Sequence, residues 1–238
     1  MKYMGSKARH AKEILKVIAS YRKEGQAWVE PFVGGANMID KVEAPLRIGG
    51  DFNEYVIALY HALQSGEKLP EGIDQRYYEI VKSNKEQFPK WVVGLIGFCF
   101  TFGAKWFGGY VGDGGSRDRV GESYRNAEKT RNQVEGCVMI HSSYDDLPFP
   151  DESLIYCDPP YEGTTKYRDA FDHDKFWQWC RDMSDEGHTL FVSEYNAPAD
   201  FACVWEKQVN TTIATSKKAT EKLFVYIPQL LRDGVRKP

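Results

Sequence analysis

Three stretches repeat their apolar residues at helical spacing, and each has a short apolar run beside it. Ala11, Ile14, Leu15 and Ile18 form the first stretch, followed by Trp28 to Phe32 and then Gly34-Gly35. Val56, Leu59, Tyr60 and Leu63 form the second, just after the run Arg47 to Asp51. Phe176, Trp179, Cys180 and Met183 form the third, between Ser153–Asp158 and Thr189–Tyr195, and Leu223 to Ile227 adds another run near the end. Apolar side chains at i, i+3, i+4 and i+7 bury one face of a helix, whereas runs of four to eight suit a strand covered on both faces. Strand–helix–strand alternation of this kind predicts an α/β domain with a largely parallel sheet.

The middle of the chain breaks the alternation. Trp91 to Phe102 is apolar on all sides and reads as a buried helix. After it, Lys105 to Arg131 interleaves Gly108-Gly109, Gly112 and Gly114-Gly115 with aromatic and basic residues, and periodicity is lost. Residues 65–135 therefore read as a mostly helical insert that ends in a basic, glycine-rich loop or hairpin. That leaves 1–64 and 136–238 to build the main domain, and 238 residues suit one large domain with an insert.

The net charge of −3 argues against a nucleic-acid partner until its distribution is examined. Residues 1–23 carry seven basic residues against Glu13 alone, and residues 217–238 carry six against Glu221 and Asp233. Residues 105–131 carry six against four acids. Positive charge thus gathers in three segments while the remainder is acidic. The five cysteines are odd in number and form no CxxC pair, which fits free thiols in a reducing compartment. The opening residues lack the apolar core of a signal peptide. The longest uncharged run, Trp91 to Ala104, has fourteen residues, short of the roughly 18 of a membrane span. A cytoplasmic protein with no membrane partner is expected.

Four motifs carry chemistry. Asp158-Pro159-Pro160-Tyr161 directly follows the strand-like run Leu154–Cys157. Ligands of open parallel sheets bind beyond the carboxyl ends of the strands. Two prolines stop the strand and remove two N–H donors, so the site presents acceptors: the Asp158 carboxylate and the Pro159 carbonyl. Two acceptors beside an aromatic ring can hold an exocyclic amine by both hydrogens while Tyr161 stacks on the flat ring that bears it. A rigid turn with a capping Asp and a packed Tyr is the structural alternative. Glu30-Pro31-Phe32-Val33-Gly34-Gly35 runs a strand into small residues that let a ligand approach the backbone. It is neither a GxGxxG fingerprint nor a phosphate loop. Asp51, about twenty residues on, sits where nucleoside-binding sheets place a ribose-hydroxyl acceptor, or it caps a helix. The fourth motif, Lys2-Tyr3-Met4-Gly5-Ser6-Lys7, reads on its own as a solvated tail.

Together and in this order, the four elements resemble the Dam-type (D12 class) N6-adenine-specific DNA methyltransferases. Tyr3 to Lys7 is similar to that family's aromatic-x-G-x-K element, Glu30 to Gly35 to its motif I, and Asp51 to the acid ending its second strand. Asp158 to Tyr161 matches its catalytic tetrapeptide in full. Leu190 to Ala197 and Thr220 to Phe224 resemble later strands. Gly103 to Tyr110 and Tyr156 to Tyr167 are most similar to phage-encoded members. Gly34-Gly35-Ala36 departs from the G-x-G of many relatives. The resemblance implies a Rossmann-like sheet, S-adenosylmethionine as cofactor and double-stranded DNA as partner. It implies that Asp158, Pro159, Pro160 and Tyr161 are catalytic. Tyr3, Lys7, Glu30, Phe32, Gly34, Gly35, Asp51 and Asp158 would serve the cofactor, with Gly34 and Gly35 passing close to its methionine part. It places target recognition in the insert, where Lys105, Tyr110, Arg117, Arg119 and Arg125 are the candidate DNA contacts and Phe107 or Tyr110 the candidate filler of a gap left by a flipped base.

No metal is expected, because His10, His61, His141, His173 and His188 show no HxxxH or HExxH spacing. A monomer or weak dimer suffices for methylating one strand at a time, and a restriction-modification setting goes with the resemblance. RNA adenine, cytosine N4 and protein glutamine are alternative planar amines. Enzymes acting on glutamine or ribosomal RNA more often carry Asn at the position of Asp158, and cytosine enzymes Ser, so Asp158 with Tyr161 favours DNA adenine. A catalytically silent nucleic-acid-binding relative is the remaining alternative.

Overall fold

A computed structural model describes residues 1, 3, 5–112, 117–161, 171–210 and 218–232, the side chains of 209–210, 218–219 and 230–232 excepted. Lys2, Met4, Gly114-Gly115, Tyr167 and Asp233, named above, and the basic residues Lys217, Arg236 and Lys237 of the segment 217–238 lie outside the described residues.

The strands are β1 (Trp28–Glu30), β2 (Arg47–Asp51), β3 (Val138–His141), β4 (Leu154–Cys157), β5 (Thr189–Glu194), β6 (Phe201–Asn210) and β7 (Lys218–Tyr226). They form one seven-stranded sheet in the order β3-β2-β1-β4-β5-β7-β6. Strands β1 to β5 pair in parallel; β7 joins β5 and β6 antiparallel. This is the expected Rossmann-like sheet, largely parallel with an antiparallel edge. The helices are α1 (Ala11–Ala19), α2 (Glu54–Gln64), α3 (Gln75–Ser83), α4 (Lys90–Gly94), α5 (Arg119–Val134), α6 (His173–Asp185) and α7 (Ile227–Arg232).

Strand side chains alternate between two apolar clusters, one on each face. Trp28, Leu154, Tyr156 and Phe191 join one cluster, and Val29, Ile155, Cys157, Leu190 and Val192 join the other. Successive strand residues point to opposite faces, so continuous apolar runs demand cover on both sides. Phe176, Cys180 and Met183 of α6 cover one face; α1, α2 and the segment from α3 to α5 cover the other. Asn53 starts α2 by accepting from the Tyr55 N–H at 3.1 Å, and Asp172 starts α6 by accepting from Lys175 N at 2.9 Å.

The segment 65–135 is mostly helical, with two differences from the sequence expectation. The apolar stretch after α4 continues as a π-helical turn, Leu95–Cys99. The glycine-rich part closes into a compact turn at the Thr101–Tyr110 bridge, and the chain from Arg119 is the sixteen-residue helix α5, not a loop. Helix α5 buries Ser123, Ala127, Thr130 and Val134, a helical spacing made of small and polar residues that apolar periodicity misses. Among the described residues this segment has no core of its own. Tyr78, Val93, Phe100 and Ala127 join the same cluster as Val56 and Leu59 of α2.

Candidate active site

The chain turns from β1 to β2 on one side of the sheet and places β4 on the other. The crevice beyond the carboxyl ends of β1 and β4 is therefore a topological switch point, where open α/β sheets bind ligands. Four of the sequence motifs meet there.

The N-terminal element is not a solvated tail. Ser6 caps a short 3-10 turn, Lys7–Arg9, and the Lys7 side chain is only 6 % exposed. Its ammonium lies 2.9 Å from Asp158 Oδ1, 3.5 Å from Glu221 Oε2 and 3.2 Å from the Gly5 carbonyl. It also sits 4.5 Å from the centre of the Tyr161 ring. The Tyr161 hydroxyl donates to Glu221 Oε2 at 2.8 Å, and the Tyr195 ring meets Tyr161 edge-on at 4.6 Å. Burial pushes the Asp158 carboxyl above the usual range, with Lys7 only partly offsetting it. Burial also opposes the charge on Lys7, but Asp158 and Glu221 outweigh it and hold the ammonium above its ordinary value.

Asp51 closes β2. Its Oδ2 accepts from Gly34 N at 2.9 Å and its Oδ1 from Asn53 N at 2.8 Å, so it ties motif I to the start of α2. Burial pushes its carboxyl up to about 6, against the pull of those two N–H groups. Tyr3 lies over both glycines of motif I. A Cβ on Gly35 would meet Tyr3 Cβ at 2.7 Å and Asn37 Nδ2 at 2.4 Å; one on Gly34 would meet the Tyr3 ring at 3.1 Å. The small residues thus admit the chain's own N-terminal element against the backbone. Gly34 adopts φ +45° while its carbonyl accepts from the Tyr60 hydroxyl.

Two expected cofactor residues are turned to other tasks. Glu30 is buried and accepts from the Trp28 indole N–H at 2.7 Å; burial raises its carboxyl to about 8, so it is largely protonated near neutrality. Phe32 packs into an aromatic cluster with Tyr144, Phe171 and Phe176 on the α6 side.

In the segment 65–135, Lys105 is exposed. Arg117 pairs with Glu122 at 2.9 Å and Arg125 with Asp118 at 3.1 Å, while Arg119, at the start of α5, is half-buried. Phe107 is buried, and the Tyr110 hydroxyl donates to the Ile73 carbonyl at 2.8 Å. Both rings close the turn from inside, so neither stands ready to fill a gap in a duplex. The exposed aromatics of the turn are Phe102 and Trp106. Trp106 meets Tyr55 and Phe98 as tilted rings at 5.2 and 4.5 Å, and Phe98 contacts Tyr3, so the turn packs beside motif I.

Glu221 and Tyr195 escaped the sequence reading. Glu221 carried a signal: Glu221, Leu223 and Val225 share one face of β7, and the latter two are core, which marks an acid aimed inward.

Residues 3–90 match the D12 class N6 adenine-specific DNA methyltransferase family. The matched stretch takes in Tyr3, Lys7, motif I and Asp51. The tetrapeptide Asp158–Tyr161 lies beyond it. No curated protein matches the sequence. Among solved structures, HI0767 of Haemophilus influenzae, assigned as a methylase, superposes with a TM-score of 0.36 and 11% identity over 91% of this chain and 88% of its own. SMU.472, assigned as a methyltransferase and solved with SAH, gives a TM-score of 0.36 and 11% identity over 92% of this chain and 52% of its own. Among the described residues no helix is long and apolar enough to cross a membrane, and no three His, Cys, Asp or Glu side chains group as metal ligands.

Proposed function

We propose that the protein transfers a methyl group from S-adenosylmethionine to N6 of an adenine flipped out of duplex DNA. The observation that carries this reading is the position of the Lys7 ammonium. It hydrogen-bonds Asp158 and lies over the Tyr161 ring, the two contacts an adenine N6 and its ring need.

The residues suit the cofactor. Asp51 spends one lone pair of each oxygen on Gly34 and Asn53 and keeps others for ribose hydroxyls. Lys7, Asp158 and Glu221, ionised together, carry one net negative charge, which favours a cation nearby. When bound, S-adenosylmethionine supplies an electrophilic methyl group on a cationic sulfonium. Asp158 and the Pro159 carbonyl accept the two N6 hydrogens, and Tyr161 stacks on the base. As the N6 lone pair leaves conjugation, positive charge grows on nitrogen, and the Asp158 carboxylate is already in place to stabilise it. A base inside the duplex must leave the stack to reach this crevice.

Residues 65–135 serve target recognition in this reading. Lys105, Arg117, Arg119 and Arg125 face phosphates, the paired arginines exchanging a carboxylate for a phosphate, and Phe102 and Trp106 supply the apolar contact. The catalytic cluster is complete in one chain, so a monomer suffices.

The deciding experiment supplies labelled cofactor with duplex DNA, RNA and protein, followed by nucleoside analysis. Label in N6-methyladenine of DNA is expected. Label confined to RNA, cytosine or glutamine refutes the substrate. Cofactor affinity should be constant above about pH 7 and fall roughly tenfold per unit below about 6 as Asp51 takes up a proton. Asp51→Asn should bind at least about tenfold more weakly and lose that pH dependence. A titration calorimetry series that stays flat for the wild type from about pH 7 down to about pH 5 removes Asp51 from the cofactor site.

A further inference from the structure

We infer that Glu221 is a positioning residue for methyl transfer: it receives the Lys7 ammonium when the target amine takes Asp158, and it holds the Tyr161 ring by its hydroxyl. The inference rests on the function proposed above.

The geometry poses a conflict that Glu221 resolves. Lys7 Nζ, at 2.9 Å from Asp158 Oδ1 and above the Tyr161 ring, occupies both contacts that the adenine requires. For the amine to bind, Lys7 must give up Asp158. A buried ammonium cannot be abandoned without a partner, because desolvation would then be uncompensated. Glu221 Oε2 is already within 3.5 Å of Nζ, and the Glu221 side chain is 15 % exposed, so the ammonium has a second carboxylate to turn to inside the site. The same oxygen accepts from the Tyr161 hydroxyl at 2.8 Å, which fixes the ring plane on which the base stacks. Glu221 comes from β7, whereas Asp158 and Tyr161 follow β4 and Lys7 lies near the amino terminus, so three separate parts of the chain meet at this carboxylate.

Two variants separate these tasks. Glu221→Gln keeps an acceptor for the Tyr161 hydroxyl but removes the charge that draws Lys7 away. The ammonium then stays on Asp158 and competes with the amine. Single-turnover transfer should fall about tenfold near pH 7, with KM for DNA raised, the scale of one charge-assisted hydrogen bond. Glu221→Ala also frees the Tyr161 ring and should fall about 100-fold. Among the described residues, the groups facing Lys7 are Asp158, Glu221, Tyr161 and Tyr195, and Lys7 is the one cation with them. Loss of the Glu221 charge should lower the pH at which Lys7 gives up its proton, so activity of Glu221→Gln should climb towards wild type as pH is raised. A nuclear magnetic resonance titration of lysine side chains, on protein without cofactor or DNA, should show Lys7 deprotonating at lower pH in Glu221→Gln than in wild type. Melting temperatures check that both variants fold.

Wild-type rates in Glu221→Gln, a loss that stays flat with pH, or an unchanged Lys7 titration each overturn the role of Glu221 and leave the proposed function standing. A wild-type protein that methylates no DNA adenine overturns the function and this role with it.

Discussion

Replacing Asp158 with alanine is expected to reduce methyl transfer by at least about 10³-fold while the protein stays folded. Asp158 is the acceptor placed where positive charge grows, and no other carboxylate in the cluster is positioned to substitute. Glu221 is already engaged by Tyr161 and Lys7. Survival of the fold follows from the direction of the Asp158 pKa. Its carboxyl is held above the ordinary value by burial, so the folded state disfavours the ionised form relative to the unfolded chain. That cost is fully present above the folded pKa and vanishes with the side chain. Lys7 keeps Glu221 as partner, so the substitution does not strand a buried charge. Melting should shift by a few degrees at most. Asp158→Asn retains one acceptor oxygen and should keep more activity than alanine. The acid limb of wild-type activity should lie above the usual carboxylate range for the same reason. Retention of near-normal methylation by Asp158→Ala in a single-turnover assay would remove the tetrapeptide from the chemistry.

What the sequence disclosed follows how each element is stabilised. Strands β1, β2, β4 and β5 and helices α1, α2 and α6 announce themselves because they bury large apolar side chains at fixed periods. Helix α5 does not, because its inner face is Ser123, Ala127, Thr130 and Val134, small enough to approach the core closely. Strand β3 has only four residues with an exposed Val138, and β6 is an edge strand whose apolar run Phe201–Trp205 is mostly half-buried or exposed before it gives way to Glu206, Lys207 and Gln208, so neither reads as core. At the site, Asp158, Tyr161 and Asp51 were legible because each follows a strand end. Lys7 was legible only through resemblance, since a lysine near a chain end looks solvated until its carboxylate partners are seen. Glu221 was hidden for the reverse reason: its partners come from parts of the chain about sixty and more than two hundred residues away. Gly35 was read as space for a ligand, but the space is filled by Tyr3.

Gly94 carries the second large expectation. It ends α4, in ordinary helical geometry, where the insert packs on α2. A Cβ there would stand 2.3 Å from the Tyr55 carbonyl oxygen and 3.3 Å from Leu59 Cβ. The first neighbour is helix backbone, which cannot rotate aside as a side chain can. Alanine gains at most about 1 kcal/mol of helix propensity over glycine, whereas overpacking costs about 1–3 kcal/mol, so Gly94→Ala should be destabilising on balance. Gly94→Val adds two further methyl groups and a β-branched side chain, and should lose about 3 kcal/mol or more, a fall of roughly 6–12 °C in melting temperature for a chain of this size. The functional consequence is specific. Tyr55 contacts Trp106, and α2 begins at Asn53, whose N–H is bonded to Asp51. Pushing α4 off α2 therefore moves the insert turn more than it moves the Lys7–Asp158–Glu221 cluster, which rests on β4, β7 and the amino-terminal element. In the folded fraction of Gly94→Val, KM for DNA should rise more than cofactor affinity falls. A calorimetric melt that matches wild type would mean that α2 and α4 have slack between them, and the tight helix contact that seats the insert would then not be what holds it in place.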